Sequence, residues 1–176
     1  MPIPAPLAAA LAALAISPAC HEHPPLRTVA DAHAHWDGLP GMAVKNLFIK
    51  DAGRQYWLVV LPAERSVDTK ALATIIGSRR ISFGSAEDLR SILGVEPGAV
   101  TPMAAINDTQ RQVRIVLHAA MLDAGAVLVH PLVNTATIVL PPRDLLRFLE
   151  ACHAPLAIHD LSAAFAVAPP LDQPGT

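Results

Sequence analysis

The chain has 176 residues, of which 52% are hydrophobic and only 16% are charged, so it can bury the core of one compact domain. Its formal net charge of −2 excludes a broadly basic nucleic-acid-coating surface but allows a small local patch of cations. One Tyr, two Trp and four Phe are too few for the extended base-stacking surface of single-strand binding proteins. The two cysteines, Cys20 and Cys152, lie far apart in sequence, which argues against a disulfide framework and favours the cytoplasm.

The N-terminal segment 2–20 is apolar enough to suggest a secretory signal peptide. It lacks the positively charged start and the small-x-small cleavage site of such signals. Its uninterrupted apolar part is also too short to span a bilayer. Leu7, Leu11 and Leu14 recur at helical spacing after Pro6, a residue that favours the first turn of a helix. We therefore predict a short Ala-rich helix packed on the domain rather than a signal peptide.

The first half of the chain predicts alternating strands and helices. A short strand, CHEH, ends at two prolines, and a helix capped by Thr28 follows and stops at Gly38. The segments MAVKNLFIKD and QYWLVVLP are two strands of a hairpin with Gly53 in its bend. A capped helix ends on Gly77, RISF is a short strand, and the next helix is SAEDLRSILG, with Ser85 as its cap.

The second half predicts mostly strands. The segment VEPGAVTPMAAIND reads as a Pro/Gly loop leading into three strands, VRIVLHAAML, AVLVHPL and TATIVL. The helix PPRDLLRFLEAC and a last strand, PLAIHDL, follow. We predict one α/β domain with a central mixed sheet over residues 1–162, and a Pro- and Ala-rich tail, 163–176, that frays.

The eight histidines raise the question of a metal site. His21 and His23 share one face of a strand, a spacing seen in metal sites, and DAHAHWD is similar to the histidine motif of metal-dependent amidohydrolases. That family needs a barrel of about 250 residues, and this sequence places His33 and His35 in a helix, pointing different ways. HExxH and CxxC motifs are absent. We therefore predict no metal and no other cofactor.

Other common catalytic patterns are also missing from the sequence. G-x-S-x-G, the nucleophile motif of many serine hydrolases, is absent. Gly77, Gly84 and Gly94 are isolated, so they do not form a glycine-rich phosphate loop. Cys20 and Cys152 fall at element ends and are expected to pack rather than to act as nucleophiles.

Four polar stretches interrupt the apolar segments: Lys45-Asn46, FGSAE at 83–87, TPMAAIND at 101–108 and HPLVNTATIVL at 130–140. A polar group in a core costs free energy unless it is paired. Each stretch, taken alone, is explained equally well by polar residues that are hydrogen-bonded within the core or in a turn. Four of them in one small domain favour a shared binding cleft.

These stretches carry a resemblance to a known family. KNLFIKD, ISFGSAEDLRSILGVEPGAVTPMAAIND and HPLVNTATIVLPPRDLLRFL, in this order and spacing, resemble the YbaK/ProX family of aminoacyl-tRNA editing domains. The similarity is greatest to the free-standing branch that removes alanine mischarged onto proline tRNA, which is related to the insertion domain of prolyl-tRNA synthetase. The resemblance implies a single α/β domain whose central mixed sheet is partly barrel-like and surrounded by helices.

The resemblance also implies an activity and its residues. The reaction is hydrolysis of the ester between an amino acid and the terminal adenosine, without a metal or a covalent nucleophile. Oriented groups stabilise the oxyanion, and we expect the N–H groups at the start of the Ser85 helix to serve as donors. The implied catalytic residues are Lys45, Asn46 and His130. The implied substrate-binding residues are Gly84, Ser85, Asp108, Asn134 and Thr135, and the implied tRNA-binding residues are Lys45, Lys50, Arg79 and Arg80.

The expected partner is the acceptor end of mischarged tRNA(Pro), with prolyl-tRNA synthetase as a second candidate and neither DNA nor a membrane. Two alternatives remain open: a cysteinyl-tRNA(Pro) deacylase of the same family, and a non-catalytic module that binds aminoacyl-tRNA. Gly84 and Met103 stand where the family more often has Ala and Phe, which leaves the choice of amino acid open.

Overall fold

The computed structural model describes residues 2–26 and 35–166, which form one mixed sheet with helices around it. The strands are β1 (Ala19–Glu22), β2 (Met42–Asp51), β3 (Tyr56–Pro62), β4 (Ile81–Phe83), β5 (Val113–His118), β6 (Val127–Val129), β7 (Ala136–Leu140) and β8 (Leu156–His159). Their order is β1-β7-β6-β2-β3-β5-β8, with β4 also paired to β2. The predicted central mixed sheet is confirmed, and its described strands end at β1 and β8 without closing.

Parallel and antiparallel pairs are interleaved in this sheet. β2 is antiparallel to β3 and β4, and β7 is antiparallel to β6 and β1. β2 and β6 are parallel, as are β3 and β5, and β5 and β8. β3 lies inside the sheet, and all seven of its residues are buried. Burial on both faces explains its continuous apolar run, QYWLVVLP, where a half-exposed strand would alternate.

The helices are α1 (Ala5–Ala13), α2 (Thr69–Ile75), α3 (Ala86–Asp88) and α4 (Pro142–Ala151). A π-helical turn, Leu89–Leu93, continues α3, and 3-10 turns cover Pro102–Ile106, Ala119–Asp123 and Ser162–Ala164. Leu7 and Leu11 of α1 are buried in the core, as the helical spacing of the N-terminal leucines predicts. In the described part of the chain, we find no helix long and apolar enough to cross a membrane.

Alternate residues of β2 and β3 face two separate cores. Val44, Phe48 and Leu58 belong to the core that includes α1 and α4, and we call this side of the sheet the α1/α4 face. Ile49 and Leu61 belong to the core that includes Leu72 of α2, which defines the α2 face. The strand period of two therefore divides the β2 side chains between two environments.

Some predicted boundaries differ from the structure. The predicted strand 113–122 ends at His118 and turns into the 3-10 segment Ala119–Asp123. The predicted strand 126–132 is paired only over Val127–Val129. Residues 101–108, expected as a loop, hold a 3-10 turn whose N-cap is Thr101, since its side chain accepts the N–H of Met103. Apolar runs show that residues are buried but do not reveal where strand pairing stops.

The chain remains packed beyond the predicted domain boundary at residue 162. Ala164 is fully buried, Phe165 forms a β-bridge with Val67, and the Ala166 N–H donates to the Ser66 carbonyl at 2.9 Å. The folded part therefore extends at least to Ala166. The helix predicted from Thr28 falls mostly on residues 27–34, which lie outside the described residues, as does His33.

Candidate active site

β2 has a stretch without a strand neighbour on one of its two edges. β6 pairs with β2 at Met42 and Ala43, and β4 pairs with β2 at Ile49 to Asp51. Between them, residues 44–47 pair with no described strand on this side, although β3 pairs with them on the other. We call this stretch the open edge. An unpaired strand edge exposes main-chain hydrogen-bonding groups, which can receive a ligand.

The main-chain groups of Asn46 point toward the open edge. On this side of β2 the Met42 N–H donates to the Ala126 carbonyl at 2.8 Å, and the Phe48 carbonyl accepts the Gly84 N–H at 2.9 Å. The Ala43 carbonyl instead accepts the Ala63 N–H, on the β3 side. Main-chain groups alternate along a strand, so the N–H and C=O of Asn46 share the direction of Met42 and Phe48. A fixed N–H at this position is suited to stabilise an oxyanion.

The Asn46 side chain lies on the α1/α4 face, and only one of its two polar atoms has a hydrogen-bond partner among the described residues. Its Nδ2 donates to the Val100 carbonyl at 2.9 Å, which fixes the orientation of the amide. Its Oδ1 is buried and has no hydrogen-bond donor among the residues that the structure describes. A buried, unpaired carbonyl oxygen costs free energy that a ligand O–H or N–H would recover. Asn46 therefore offers a substrate one side-chain acceptor and one main-chain donor.

His130 follows the last residue of β6 and lies beside Asn46. Its Nδ1 is 2.9 Å from the Ala136 carbonyl, which can only accept, so Nδ1 carries the proton and Nε2 has the free lone pair. The His130 carbonyl accepts the Thr101 hydroxyl at 2.6 Å. Burial lowers the pKa of His130 and the nearby His23 lowers it further, against the opposing effect of the Ala136 hydrogen bond. His130 is therefore a neutral, oriented base at neutral pH.

Three residues that were not among the predicted site residues lie near His130: His23, Trp36 and Thr137. His23 Nδ1 donates to the Pro24 carbonyl at 2.9 Å, so its Nε2 accepts the Thr137 hydroxyl, also at 2.9 Å. The Thr137 oxygen in turn lies 3.3 Å from the Trp36 indole N–H, which donates to it. The rings of His23 and His130 are 6.1 Å apart. The HEH pattern singled out His23, but as a metal ligand and not as part of this hydrogen-bonded group.

No three His, Cys, Asp or Glu side chains within residues 2–26 and 35–166 converge closely enough to hold a metal ion. Absence of a metal requirement therefore stays a prediction from the sequence.

A small cavity of about 10 Å³ lies between these groups. This is about the space that one water molecule needs, so it can also take a methyl group. Apolar side chains form part of its wall and polar ones the rest: Val44, Leu128, Val129, Trp36, Asn46, His130 and Thr137.

Lys45 belongs to the same open edge but faces the other way. It pairs with Leu61 and so projects to the α2 face, opposite to Asn46. It is half-buried and takes part in none of the ion pairs of the described residues. Burial lowers its pKa, and the Glu64 carboxylate partly opposes this shift. The sequence predicted both Lys45 and Asn46 at the site, and the structure places them at the same edge on opposite faces.

Gly84 and Ser85 border the open edge from the β4 side. A Cβ at Gly84 would clash with the buried Phe48 ring, so the glycine allows β4 to approach β2 here. Ser85 forms the predicted cap of α3, with its Oγ accepting the Asp88 N–H at 3.0 Å and its own N–H donating to Asp88 Oδ2 at 3.1 Å. The expectation that N–H groups at this helix start bind the oxyanion is not supported, because Asp88 already places a carboxylate there. The Asn46 N–H is the better donor.

Lys50, expected to contact tRNA, is instead held within the protein. Its Nζ lies 2.7 Å from Asp88 Oδ2, and both side chains are largely buried. Tyr56 donates its hydroxyl to the other oxygen of Asp88 at 3.0 Å. The hydrogen bond from Lys50, followed by that from the Ser85 N–H, holds the pKa of Asp88 far below its usual range. Lys50 therefore connects β2 to α3 and is not free to bind a phosphate.

Three of the predicted substrate-binding residues have other positions. Asp108 is buried and accepts the N–H groups of Gln112 at 3.0 Å and Val113 at 2.8 Å, which fixes the start of β5. It lines a separate apolar cavity of about 370 Å³ beside α1 and α4. Asn134 donates to the Leu26 carbonyl at 3.2 Å and holds two loops together, whereas the Thr135 side chain is exposed. The structural contacts of Asp108 and Asn134 explain the presence of these two residues.

Arg79 and Arg80 precede β4 and are exposed. They line a shallow cavity of about 290 Å³ with the β2–β3 turn, and neither joins an ion pair with the described residues. The predicted basic rim thus keeps two of its three cations. Met103, a departure from the family pattern, is fully buried in the core and does not line the small cavity.

Comparison with known proteins identifies the family of this chain. The aminoacyl-tRNA editing domain family matches residues 23–148. The chain is 37% identical over 131 residues to the "Prolyl-tRNA editing protein ProX" of Acetoanaerobium sticklandii, covering 74% of this chain and 80% of that protein. It is 36% identical over 148 residues to the "Prolyl-tRNA synthetase associated domain-containing protein 1" of Danio rerio, covering 82% and 80%.

A crystal structure described as a candidate trans-editing enzyme for prolyl-tRNA synthetase has the same fold, with a TM-score of 0.65 at 19% identity over 85% of this chain and 91% of that one. The match to the family covers more than half of the chain and includes the open edge, β4 and His130. The family resemblance seen in the sequence is confirmed, and the chain belongs to the aminoacyl-tRNA editing domain family of aminoacyl-tRNA deacylases.

Proposed function

We propose that this protein removes alanine from mischarged tRNA(Pro) by hydrolysing the ester to the terminal adenosine. The observation that supports this proposal most strongly is the open edge of β2, toward which the Asn46 N–H points. Beside it, Asn46 and His130 line a cavity of methyl size, and the buried Asn46 Oδ1 has no hydrogen-bond donor among the described residues. The names of the relatives from Acetoanaerobium sticklandii and Danio rerio support proline tRNA as the substrate class.

In this proposal the ester carbonyl lies against the open edge. The Asn46 N–H stabilises the negative charge that develops on the carbonyl oxygen. Asn46 Oδ1 accepts a hydrogen bond from the amino group or the ribose hydroxyl of the substrate. Lys45 approaches from the α2 face and interacts with the terminal phosphate or the polarised ester. The protein thus binds both sides of the substrate without moving a strand.

The reaction needs one water and no covalent intermediate. Water attacks the carbonyl carbon, a new C–O bond forms, and the ester C–O bond to the ribose breaks. The attacking water loses a proton, to His130 Nε2 or through the neighbouring ribose hydroxyl, and the departing ribose oxygen gains one. The products are free alanine and tRNA with a free 3′ hydroxyl. Orientation and oxyanion stabilisation supply the rate enhancement.

The size of the cavity supports alanine as the amino acid. A cavity of about 10 Å³ has room for the methyl group of alanine, and the ring of proline is too large for it. A synthetase pocket built for proline rejects a smaller amino acid by only about 1–3 kcal/mol per methylene. A second site that admits only the smaller side chain removes the resulting error. The cysteine side chain adds a sulfur atom to this methyl and fits less well.

We place this activity in the cytoplasm, with the acceptor end of tRNA(Pro) as the main partner and prolyl-tRNA synthetase as a second one.

The test compares tRNA(Pro) charged with alanine, cysteine or proline, each incubated with the purified protein in single-turnover reactions. We expect fast deacylation of the alanyl form, slower reaction of the cysteinyl form and no reaction of the prolyl form. Faster release of cysteine would assign the protein to the cysteinyl branch. Binding without hydrolysis of any of the three would overturn the proposal in favour of a non-catalytic module.

A further inference from the structure

Phe83 at the end of β4 is 65% exposed, whereas Phe48 and Phe148 are almost completely buried. A single exposed apolar side chain is common on protein surfaces and carries no function by itself. The position of Phe83 is what separates it from such cases. It is the last residue of the strand that borders the open edge, and it directly precedes Gly84.

Phe83 lies on the same face of the sheet as Lys45. It pairs with Ile49, and residues directly opposite each other in an antiparallel pair project to the same side. Ile49 belongs to the α2 face, as does Lys45 through its pairing with Leu61. Lys45 and Ile49 are roughly 13 Å apart along the strand, so the ring and the ammonium border the same stretch of surface. That spacing suits one nucleoside with its flanking phosphate.

The Phe83 backbone is held firmly in place. β4 pairs with β2 over Ile49 to Asp51, and the Gly84 N–H donates to the Phe48 carbonyl at 2.9 Å. The absence of a side chain at Gly84 lets the chain pass close over the Phe48 ring. An aromatic ring on a fixed backbone loses little conformational entropy when it binds a flat partner.

Three cations that join no ion pair in the described part of the chain lie on either side of Phe83 along the sheet. Arg79 and Arg80 lie just before β4, are exposed, and form no ion pair in the described ranges. With Lys45 on the other side, an exposed aromatic ring lies between positive charges. An aromatic ring flanked by cations matches a nucleotide, which stacks through its base and pairs through its phosphates.

We propose that Phe83 stacks on the base of the 3′-terminal nucleotide of the tRNA, while Arg79 and Arg80 contact the phosphates that precede it. This inference rests on the proposed function, since it assigns a place to the nucleoside whose ester is hydrolysed. The base lies on the α2 face, and the ester reaches past the open edge to Asn46 and His130 on the other face. Stacking orients the ribose so that the carbonyl meets the Asn46 N–H.

The test measures binding and hydrolysis separately. Two short oligonucleotides of the acceptor end carry alanine at the terminal ribose, one with the terminal adenine and one without that base. An amide in place of the ester gives non-hydrolysable versions for binding by fluorescence anisotropy. The variants are Phe83→Ala, Phe83→Trp and, as a matched control, Ile158→Ala, since Ile158 is 42% exposed on β8 at the far side of the sheet.

With the adenine present, we expect Phe83→Ala to weaken binding about tenfold or more and to raise KM, with Phe83→Trp binding at least as tightly as the original. Without the base, all proteins should bind equally weakly. Ile158→Ala should behave like the unchanged protein with both oligonucleotides. If Phe83→Ala lost as much binding affinity without the base as with it, or lost none at all, the proposed role of Phe83 would be overturned.

The outcomes separate this inference from the proposed function. If the unchanged protein hydrolyses the ester and Phe83→Ala binds both oligonucleotides normally, the inference fails and the function stands. If no ester is hydrolysed but binding depends on both Phe83 and the base, the function fails and the stacking site stands. Circular dichroism of each variant identifies any loss of binding or hydrolysis that comes from unfolding.

Discussion

Lys45 and Asn46 are consecutive residues of β2, yet their side chains lie on opposite faces of the sheet at the open edge. Asn46 reaches the small cavity beside His130, and Lys45 projects toward α2. A substrate that crosses the open edge can meet both residues. The edge is open because β4 and β6 are three-residue strands that pair with opposite ends of a ten-residue one.

Replacing Lys45 by Ala should reduce activity without reducing stability. Because burial lowers its pKa, the folded protein holds this charge less favourably than the unfolded chain does. We expect unfolding free energy to stay level or rise slightly, and kcat/KM for alanyl-tRNA(Pro) to fall at least about 100-fold, some 2.7 kcal/mol. Lys45→Arg should rescue only part of the loss, since a planar guanidinium does not replace a compact ammonium.

Thermal melts and single-turnover deacylation on the same preparations test this prediction. Lys70→Ala, at an exposed lysine of α2, is the matched control and should change neither quantity. A Lys45→Ala protein that melts much earlier but deacylates normally when folded would make Lys45 a structural residue.

If His130 acts as the base, the pH–rate profile should show a fall in activity on its acid side, and this acid limb should lie below the ordinary histidine pKa of 6.5. Burial lowers its pKa, so the ring stays neutral at pH values where an exposed histidine is already protonated. Activity should fall only when the pH drops through this lowered pKa. His130→Asn should reduce kcat and remove the limb, while His21→Gln, at an exposed histidine of β1, should leave the profile unchanged.

The same shift predicts the pH dependence of stability. Between the lowered pKa and 6.5 the unfolded chain binds more protons than the folded protein, so stability should rise with pH there and decline as the pH falls. Urea titrations across this range compare the unchanged protein with His130→Asn, whose stability should depend less on pH. An identical pH dependence for the two proteins would contradict the assigned protonation state.

Gly84→Ala should destabilise the protein through Phe48. A Cβ at this position clashes with the Phe48 ring, which is buried and stacked on Tyr56 with 5.4 Å between ring centroids. We expect a loss of about 1–3 kcal/mol, typical of overpacking, and partial recovery when Phe48→Leu is added. Gly125→Ala is the control, since a Cβ there meets nothing within 4 Å. Additive effects of the two changes in urea denaturation would show that the residues do not interact.

Replacing Lys50 should reduce stability but not activity, whereas replacing Arg80 should reduce tRNA binding but not stability. Lys50→Gln removes the partner of Asp88 and should cost about 1–3 kcal/mol of stability, while the folded protein keeps its activity. Because the pKa of Asp88 is lowered in the folded state, this stabilising contribution is present at neutral pH and declines as the pH falls.

Arg80→Gln should leave stability unchanged, weaken tRNA binding, and reduce the slope of log affinity against log salt by about 1. Denaturant melts together with binding at several salt concentrations test both variants. A salt slope that falls with Lys50→Gln and not with Arg80→Gln would reverse the two assignments.

Local features of the fold could be predicted from the sequence because they depend on residues close together in the chain. Ser85 and Asp88 form the capping pattern of a helix start, and the structure contains both of its hydrogen bonds. The hairpin of β2 and β3 follows from two apolar runs separated by a turn at Gly53. The alternation of Val44, Lys45 and Asn46 likewise predicts that Lys45 and Asn46 lie on opposite faces once the segment is known to be a strand.

The polar interruptions and the family motifs are enough to identify Asn46 and His130 as candidate site residues. They do not separate these residues from Lys50 and Asp108, which interrupt apolar segments in the same way. The partner of Lys50 is Asp88, 38 positions away, and Asp108 binds the start of β5. A polar residue with a distant partner has the same appearance in sequence as one that faces a substrate.

The open edge itself was decided only by the tertiary structure. It exists because β4 and β6, separated by more than 40 residues, pair with opposite ends of β2. His23 and Thr137 meet across 114 positions by the same kind of pairing, between β1 and β7. The sequence by itself determines the period of each segment and the caps of its helices. Which strands pair, and where each pairing stops, depends on packing contacts between segments far apart in the chain, and these local patterns do not encode such contacts.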